Sequence, residues 1–161
     1  MVISNTGPLI ALAKADQLVL LEGLFGHVLI PPAVHRELLA KSGPESARLD
    51  EALHGLIEVT PSPPLAPEVK IVTSGLGAGE QQVIALAHER EASLVIIDER
   101  LGRAAARRMG LTVTGLVGVL VCAKEAGLVT TVRPLLEQIR QRGYWLADGI
   151  IELATRLAEE S

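Results

Sequence analysis

The sequence predicts an α/β domain built on a parallel sheet, and three observations carry that expectation. Short apolar runs ("VIS", "HVLI", "LIEV", "SLVII" and "LTVT") recur along the chain. Segments of helical period separate them. The run "SLVIID" is apolar on both faces, as a strand covered by helices on each side must be.

The elements follow in order. Val2 to Ser4 form a strand that ends at "NTGP". Pro8 then opens an apolar helix expected over 8–25, since proline at a helix start gives up an N–H that has no partner anyway. "HVLIPP" is a second strand, and "PAVHRELLAK" a helix that stops near Ser42 and Gly43. "PESARLDEALHG" is a further helix and "LIEVTP" a third strand. Residues 62–79 are dense in proline and glycine and read as a long loop, the kind of segment that carries function or mobility. "EQQVIALAHERE" is a helix, "SLVIID" the fourth strand, "ERLGRAAARRMG" a helix and "LTVTG" the fifth strand. Helices are expected over 116–127, 132–142 and 147–159.

With 161 residues, the chain suits one domain with a sizeable core. No internal repeat or boundary interrupts 1–161, and the part from about residue 132 reads as a helical extension packed on the same core. Only three residues are aromatic, so the core is built from Leu, Val, Ile and Ala. No apolar run approaches the roughly 18 residues of a membrane span, and the opening lacks a signal peptide's basic start and apolar centre. A cytoplasmic protein is the expectation. A single cysteine, Cys122, excludes an intrachain disulfide framework and a multi-cysteine metal site; within "VLVCAKEAG" it reads as a core filler. The net charge of −4 argues against a protein that simply coats nucleic acid, although clustered acids would lower the total without altering a basic surface elsewhere.

Ligands of open parallel sheets bind outside the C-terminal ends of the strands. Two polar residues stand at such ends: Asn5, the chain's one asparagine, and Asp98. Asp98 taken alone also fits an N-cap for the helix starting at Glu99. Glu80 shares a helical face with Val83, Ile84 and Ala87, so its carboxylate lies on the core-facing stripe; a first-turn glutamate favoured by the helix dipole is the plainer reading. Glu37 lies beside Val34 and Leu38, at the buried edge of its helix or half-exposed. Brought together, these acids repel and raise one another's pKa unless a cation neutralises them. Oxygen-only ligands suit Mg²⁺ or Mn²⁺ rather than zinc.

Arg100, Arg103 and Arg107 fall along one helical face two residues beyond Asp98, with Arg108 beside them. Such a stripe grips phosphates and makes binding salt-dependent; a solvated face, partly paired with Glu99, is the alternative. Lys14 and Arg36 read as surface residues. The four histidines have no HxxxH spacing, and "GLGAGE" lacks the Lys-Ser/Thr of a phosphate-binding P-loop. Asp148 reads as a first-turn helix residue.

The strings "SNTGPLIALAK", "LIPPAVHREL", "GAGEQQVIALA", "LVIIDERLGRAAARRMGLTVTG" and "GVLVCAKEAGLV", in this order and spacing through about Gly143, resemble a prokaryotic branch of the PIN-domain family. The resemblance implies a three-layer α/β/α domain with a central parallel sheet of about five strands. It implies metal-dependent endonucleolytic cleavage of RNA with Mg²⁺ or Mn²⁺. It further implies RNA as partner and, since many prokaryotic members are toxins of toxin–antitoxin pairs and often dimers, an antitoxin protein and a second copy of the chain. Carried over by position, Asn5 falls where the family usually has its first Asp, Thr6 on the neighbouring hydroxyl residue, and Glu37, Glu80 and Asp98 on the other acids. These five are the expected catalytic set, with Glu37, Glu80, Asp98 and Asn5 holding the metal and Arg100, Arg103 and Arg107 contacting nucleic acid.

Asn5 departs from the acidic pattern. An amide oxygen still ligates a hard cation but brings no charge. A carboxylate about 4 Å from a divalent ion adds several kcal/mol of gross attraction at an effective dielectric near 20, much of it offset by desolvation. The expected consequence is weaker metal binding with three acids left. Asn5 therefore also favours a rival reading, a catalytically silent PIN-like protein that binds RNA or a protein partner. A third reading, a small-molecule phosphate-ester hydrolase, needs a nucleophilic Asp near the first strand, and Asn5 speaks against it.

Overall fold

Valine, isoleucine and leucine supply five strands of two or three residues each: β1 (Val2–Ser4), β2 (Val28–Ile30), β3 (Ile57–Val59), β4 (Leu94–Ile96) and β5 (Val113–Thr114). In the computed structural model, which describes residues 1–160, they form one sheet in the order β3-β2-β1-β4-β5 with every pairing parallel. Val2 faces Leu94 and Ser4 faces Ile96 across the central pair, and the Asn5 N–H continues that ladder to the Ile96 carbonyl at 2.9 Å. Ile3, Ile30, Ile57 and Ile96 are fully buried, each contributing roughly 1.5–3 kcal/mol.

The connections are helical: α1 (Thr6–Lys14), α2 (Val19–Phe25), α3 (Pro32–Ala40), α4 (Ser46–Ala52), α5 (Pro67–Val72), α6 (Ala78–Arg90), α7 (Arg100–Arg108) and α8 (Leu116–Glu125), followed by α9 (Arg133–Gln141) and α10 (Asp148–Leu157). Helix α6 lies across β1 and β4 with α5 and α7 beside it, whereas α2 packs on β2 and meets α8, against which α1 and α10 rest. The result is a three-layer α/β/α architecture. One continuous apolar core runs from Val2 to Ala158, so α9 and α10 share it.

Three expectations need correction. The helix foreseen over 8–25 is two helices, because Asp16 adopts φ 54°, a left-handed turn that a short polar side chain tolerates. Ala15 and Leu18 in that turn are buried, which is why the apolar pattern runs through the break. The loop foreseen over 62–79 contains α5, started by Pro67 in the first turn. Cys122 faces solvent instead of filling the core.

The chain leaves β1 toward β2 and β3 on one side, then returns to the other side at β4. The crevice beyond the ends of β1 and β4 is therefore the topological switch point, where open α/β sheets bind ligands.

Candidate active site

Asn5 follows β1 and occupies the N-cap of α1. Asparagine there normally turns its oxygen onto an N–H of the first turn, yet this side chain makes no capping bond. The residue is only 8 % exposed, and its Oδ1 is buried without a hydrogen-bond partner. The next residue, Thr6, donates its hydroxyl to Glu37 Oε2 at 2.5 Å, which draws the outer edge of α3 to the end of β1. Both side chains converge on Gly79 in the first turn of α6. A Cβ at that position would lie 2.6 Å from Glu37 Oε1 and 3.2 Å from Asn5 Oδ1, so a glycine is what lets two oxygens gather there.

Glu80, the next residue of α6, adds a third oxygen source. Val83, Ile84 and Ala87 of its face are fully buried, and that anchors the helix with the carboxylate turned inward. Its Oε2 is buried and has no partner; it passes over Gly102 of α7, where a Cβ would stand only 2.8 Å away. A first-turn glutamate ordinarily sits below its usual pKa because of the helix dipole. Here burial, then the charge of Glu99 and that of Glu37, lift it above its ordinary value, although the Gly77 backbone N–H works the other way. Among the described residues neither Glu37 nor Glu80 has a cationic side chain paired with it.

Asp98 follows β4 and is held differently. Instead of capping α7, its Oδ1 accepts the first N–H of α8, from Leu116, at 2.7 Å. Its Oδ2 accepts the hydroxyl of Tyr144, and Arg103 donates to its backbone carbonyl. Burial first, and then the neighbouring Asp98 carboxylate, push the Tyr144 hydroxyl far above the ordinary phenol range, so it stays protonated and donates. From Asp98 a groove of about 690 Å³ opens along α7, lined by Arg100, Arg103, Arg107, Leu101 and Trp145. Trp145 is 82 % exposed. Another hollow, of about 500 Å³, lies beside β2 and β3 near Phe25, His27 and Glu58 and includes none of these acids.

A PIN-domain family model matches residues 1–160. The chain belongs to the PIN-domain family. No curated protein matches it. PIN domains are generally dependent on divalent metal and commonly bind RNA, and the fold is of the nuclease kind. No helix among the described residues is long and apolar enough to cross a membrane.

The oxygen donors of this PIN domain suit a hard divalent cation. Two of them, Asn5 Oδ1 and Glu80 Oε2, are buried acceptors lacking any donor, a costly arrangement that a cation or an ordered water relieves. Asn5 and Glu37 come together at Gly79, with Thr6 bonded to Glu37; the Glu80 carboxylate lies against Gly77 and Gly102, and the oxygens of Asp98 point to Tyr144 and Leu116. Among the described residues no three His, Cys, Asp or Glu side chains group closely enough to hold a metal ion; Glu37, Glu80 and Asp98, the three acids expected to do so, do not form such a group. Sequence reasoning missed two participants. Glu99 reads in the sequence only as a helix start and a partner for the arginines, yet its charge acts on Glu80 more than that of Glu37 does. Tyr144 carried no local signal, because only the fold brings it to Asp98.

Proposed function

We propose that this PIN domain is a divalent-metal-dependent endoribonuclease that hydrolyses RNA phosphodiester bonds. The observation that carries the reading is the pair of buried, donorless acceptors, Asn5 Oδ1 and Glu80 Oε2, beside Glu37 at the switch point of the sheet. Glu37, Glu80 and Asn5 would hold Mg²⁺ or Mn²⁺, with Asp98 at the end of β4. A divalent ion held there would supply a water of lowered pKa and positive charge against the reacting phosphate. The chain's own residues do the rest. Thr6 holds Glu37 in place through its hydroxyl. Arg100, Arg103 and Arg107 supply positive charge for the phosphates flanking the cleaved bond, and Trp145 offers a face on which an unpaired base stacks. A role as the toxin of a toxin–antitoxin pair, acting in the cytoplasm as a dimer, is consistent with the family.

The second reading, a PIN domain that binds RNA or protein without cleaving, is favoured by the amide at Asn5 and by the engaged oxygens of Asp98. Titration calorimetry with Mn²⁺, followed by cleavage of single-stranded and structured RNA with and without EDTA, separates the two. Saturable Mn²⁺ binding with cleavage abolished by EDTA is expected. RNA binding without turnover at saturating Mn²⁺ selects the silent reading.

A further inference from the structure

An aspartate carboxylate turns readily about its terminal torsion, which is broad and roughly two-fold. A metal-site aspartate therefore needs neighbours that fix its plane, and carboxylates that ligate metals are themselves hydrogen-bonded. At Asp98 one oxygen is fixed by the Leu116 N–H at 2.7 Å. The other is fixed by a hydroxyl from 46 residues further along the chain, that of Tyr144.

We propose that Tyr144 is a positioning residue of this site: its hydroxyl and the Leu116 N–H clamp the Asp98 carboxylate in the orientation that serves the metal. The role rests on the metal reading above. Each carboxylate oxygen accepts along two directions, so one donor on each leaves a second direction on both. The approach of Tyr144 is specific. The chain leaves α9 through Gly143 at φ 102°, a conformation open to glycine, and delivers the chain's one tyrosine to the end of β4. On the opposite side, a Cβ at Gly7 in the first turn of α1 would lie 3.0 Å from the Tyr144 hydroxyl, so a side chain there would displace it. Arg103, donating to the Asp98 carbonyl, holds the backbone beneath. The C-terminal extension is in this way part of the site, and not only a cover for the core.

The competing explanation is a purely structural tie between the extension and the sheet. Tyr144→Phe keeps the ring and removes the donor. Calorimetry with Mn²⁺ on the full chain should show affinity reduced roughly 10- to 100-fold, kcat reduced, KM for RNA little changed and Tm in EDTA retained. Gly7→Ala, which helix propensity favours, disturbs the hydroxyl from the other side and should shift Mn²⁺ affinity the same way by less; it decides the matter if Tyr144→Phe does not fold. Mn²⁺ affinity and kcat unchanged in Tyr144→Phe overturn the positioning role alone. Tighter Mn²⁺ binding overturns it too, since the hydroxyl would then compete with the metal. Wild-type protein that takes up no Mn²⁺ overturns the metal reading and this role with it.

Discussion

Glu80 and Glu160 are carboxylates of one chain drawn partly out of solvent, and the fold treats them in opposite ways. Glu160 is surrounded by donors. Its Oε2 accepts the Val132 N–H at 2.7 Å and Lys124 Nζ at 3.0 Å, and its Oε1 accepts the Arg133 N–H at 3.1 Å. Burial raises its pKa, but the two backbone N–H groups and Lys124 outweigh that and hold it below its ordinary value. It bolts the end of α10 to the start of α9, whose first N–H groups need partners. Glu80 has burial, two acidic neighbours and one oxygen with nothing to accept from. Glu160 has a donor for each of its oxygens, whereas Glu80 keeps one buried oxygen with none. Asp98 falls between them: each of its oxygens accepts from one donor, the Leu116 N–H or the Tyr144 hydroxyl, and neither donor carries a charge.

The contrast is broken or sharpened most strongly by Glu80→Gln. Metal-dependent cleavage should fall at least about 100-fold, while Tm in EDTA holds or rises by about 1–3 °C as the charge repulsion is relieved. A marked loss of Tm with cleavage intact would move Glu80 into the structural class. Glu160→Ala should do the reverse. Leaving Val132 and Arg133 N–H groups without their acceptor costs about 1–3 kcal/mol, which lowers Tm by about 2–4 °C for each kcal/mol, and kcat for RNA should not change.

Asn5→Asp tests the same contrast from the first strand. A further acid in a buried pit should lower Tm in EDTA, and in Mn²⁺ it should tighten binding several-fold. No change in Mn²⁺ affinity would put residue 5 outside the metal's reach. The smallest effect is in the pH dependence of stability without metal. The pKa of Glu160 is lower in the folded chain, so its contribution is complete above the unfolded value of 4.5 and is lost as pH falls through the folded one. The pKa of Glu80 is raised, so its penalty is absent below 4.5 and grows as pH rises through the folded value. Thermal melts in EDTA should therefore show the advantage of Glu80→Gln vanishing first, as pH falls toward 4.5, and Glu160→Ala converging on wild type only below 4.5.

The strands and most helices were readable because apolar residues at a period of two or 3.6 are a local property. Asn5 and Asp98 at strand ends, and Glu80 on a core-facing stripe, were readable for the same reason. The failures also have local causes. The turn at Asp16 packs its own neighbours, Ala15 and Leu18, into the core, so the apolar pattern passed through it unbroken. Helix α5 is six residues long inside a stretch rich in proline and glycine, where the initiating Pro67 looked like one more loop signal.

The sequence by itself determined an alternating α/β chain, a parallel sheet and the oxygen-bearing residues available at its C-terminal edge, because period and residue type act over a few neighbours. Tertiary structure alone decided which oxygens meet and which are paired. Gly79 and Gly102 leave room for Glu37, Asn5 and Glu80 to approach, and Tyr144 reaches Asp98 from another layer of the fold. Hydrogen bonding and burial are set by packing between segments distant in sequence, so the difference between an acid with donors and an acid without them exists only once the chain has folded.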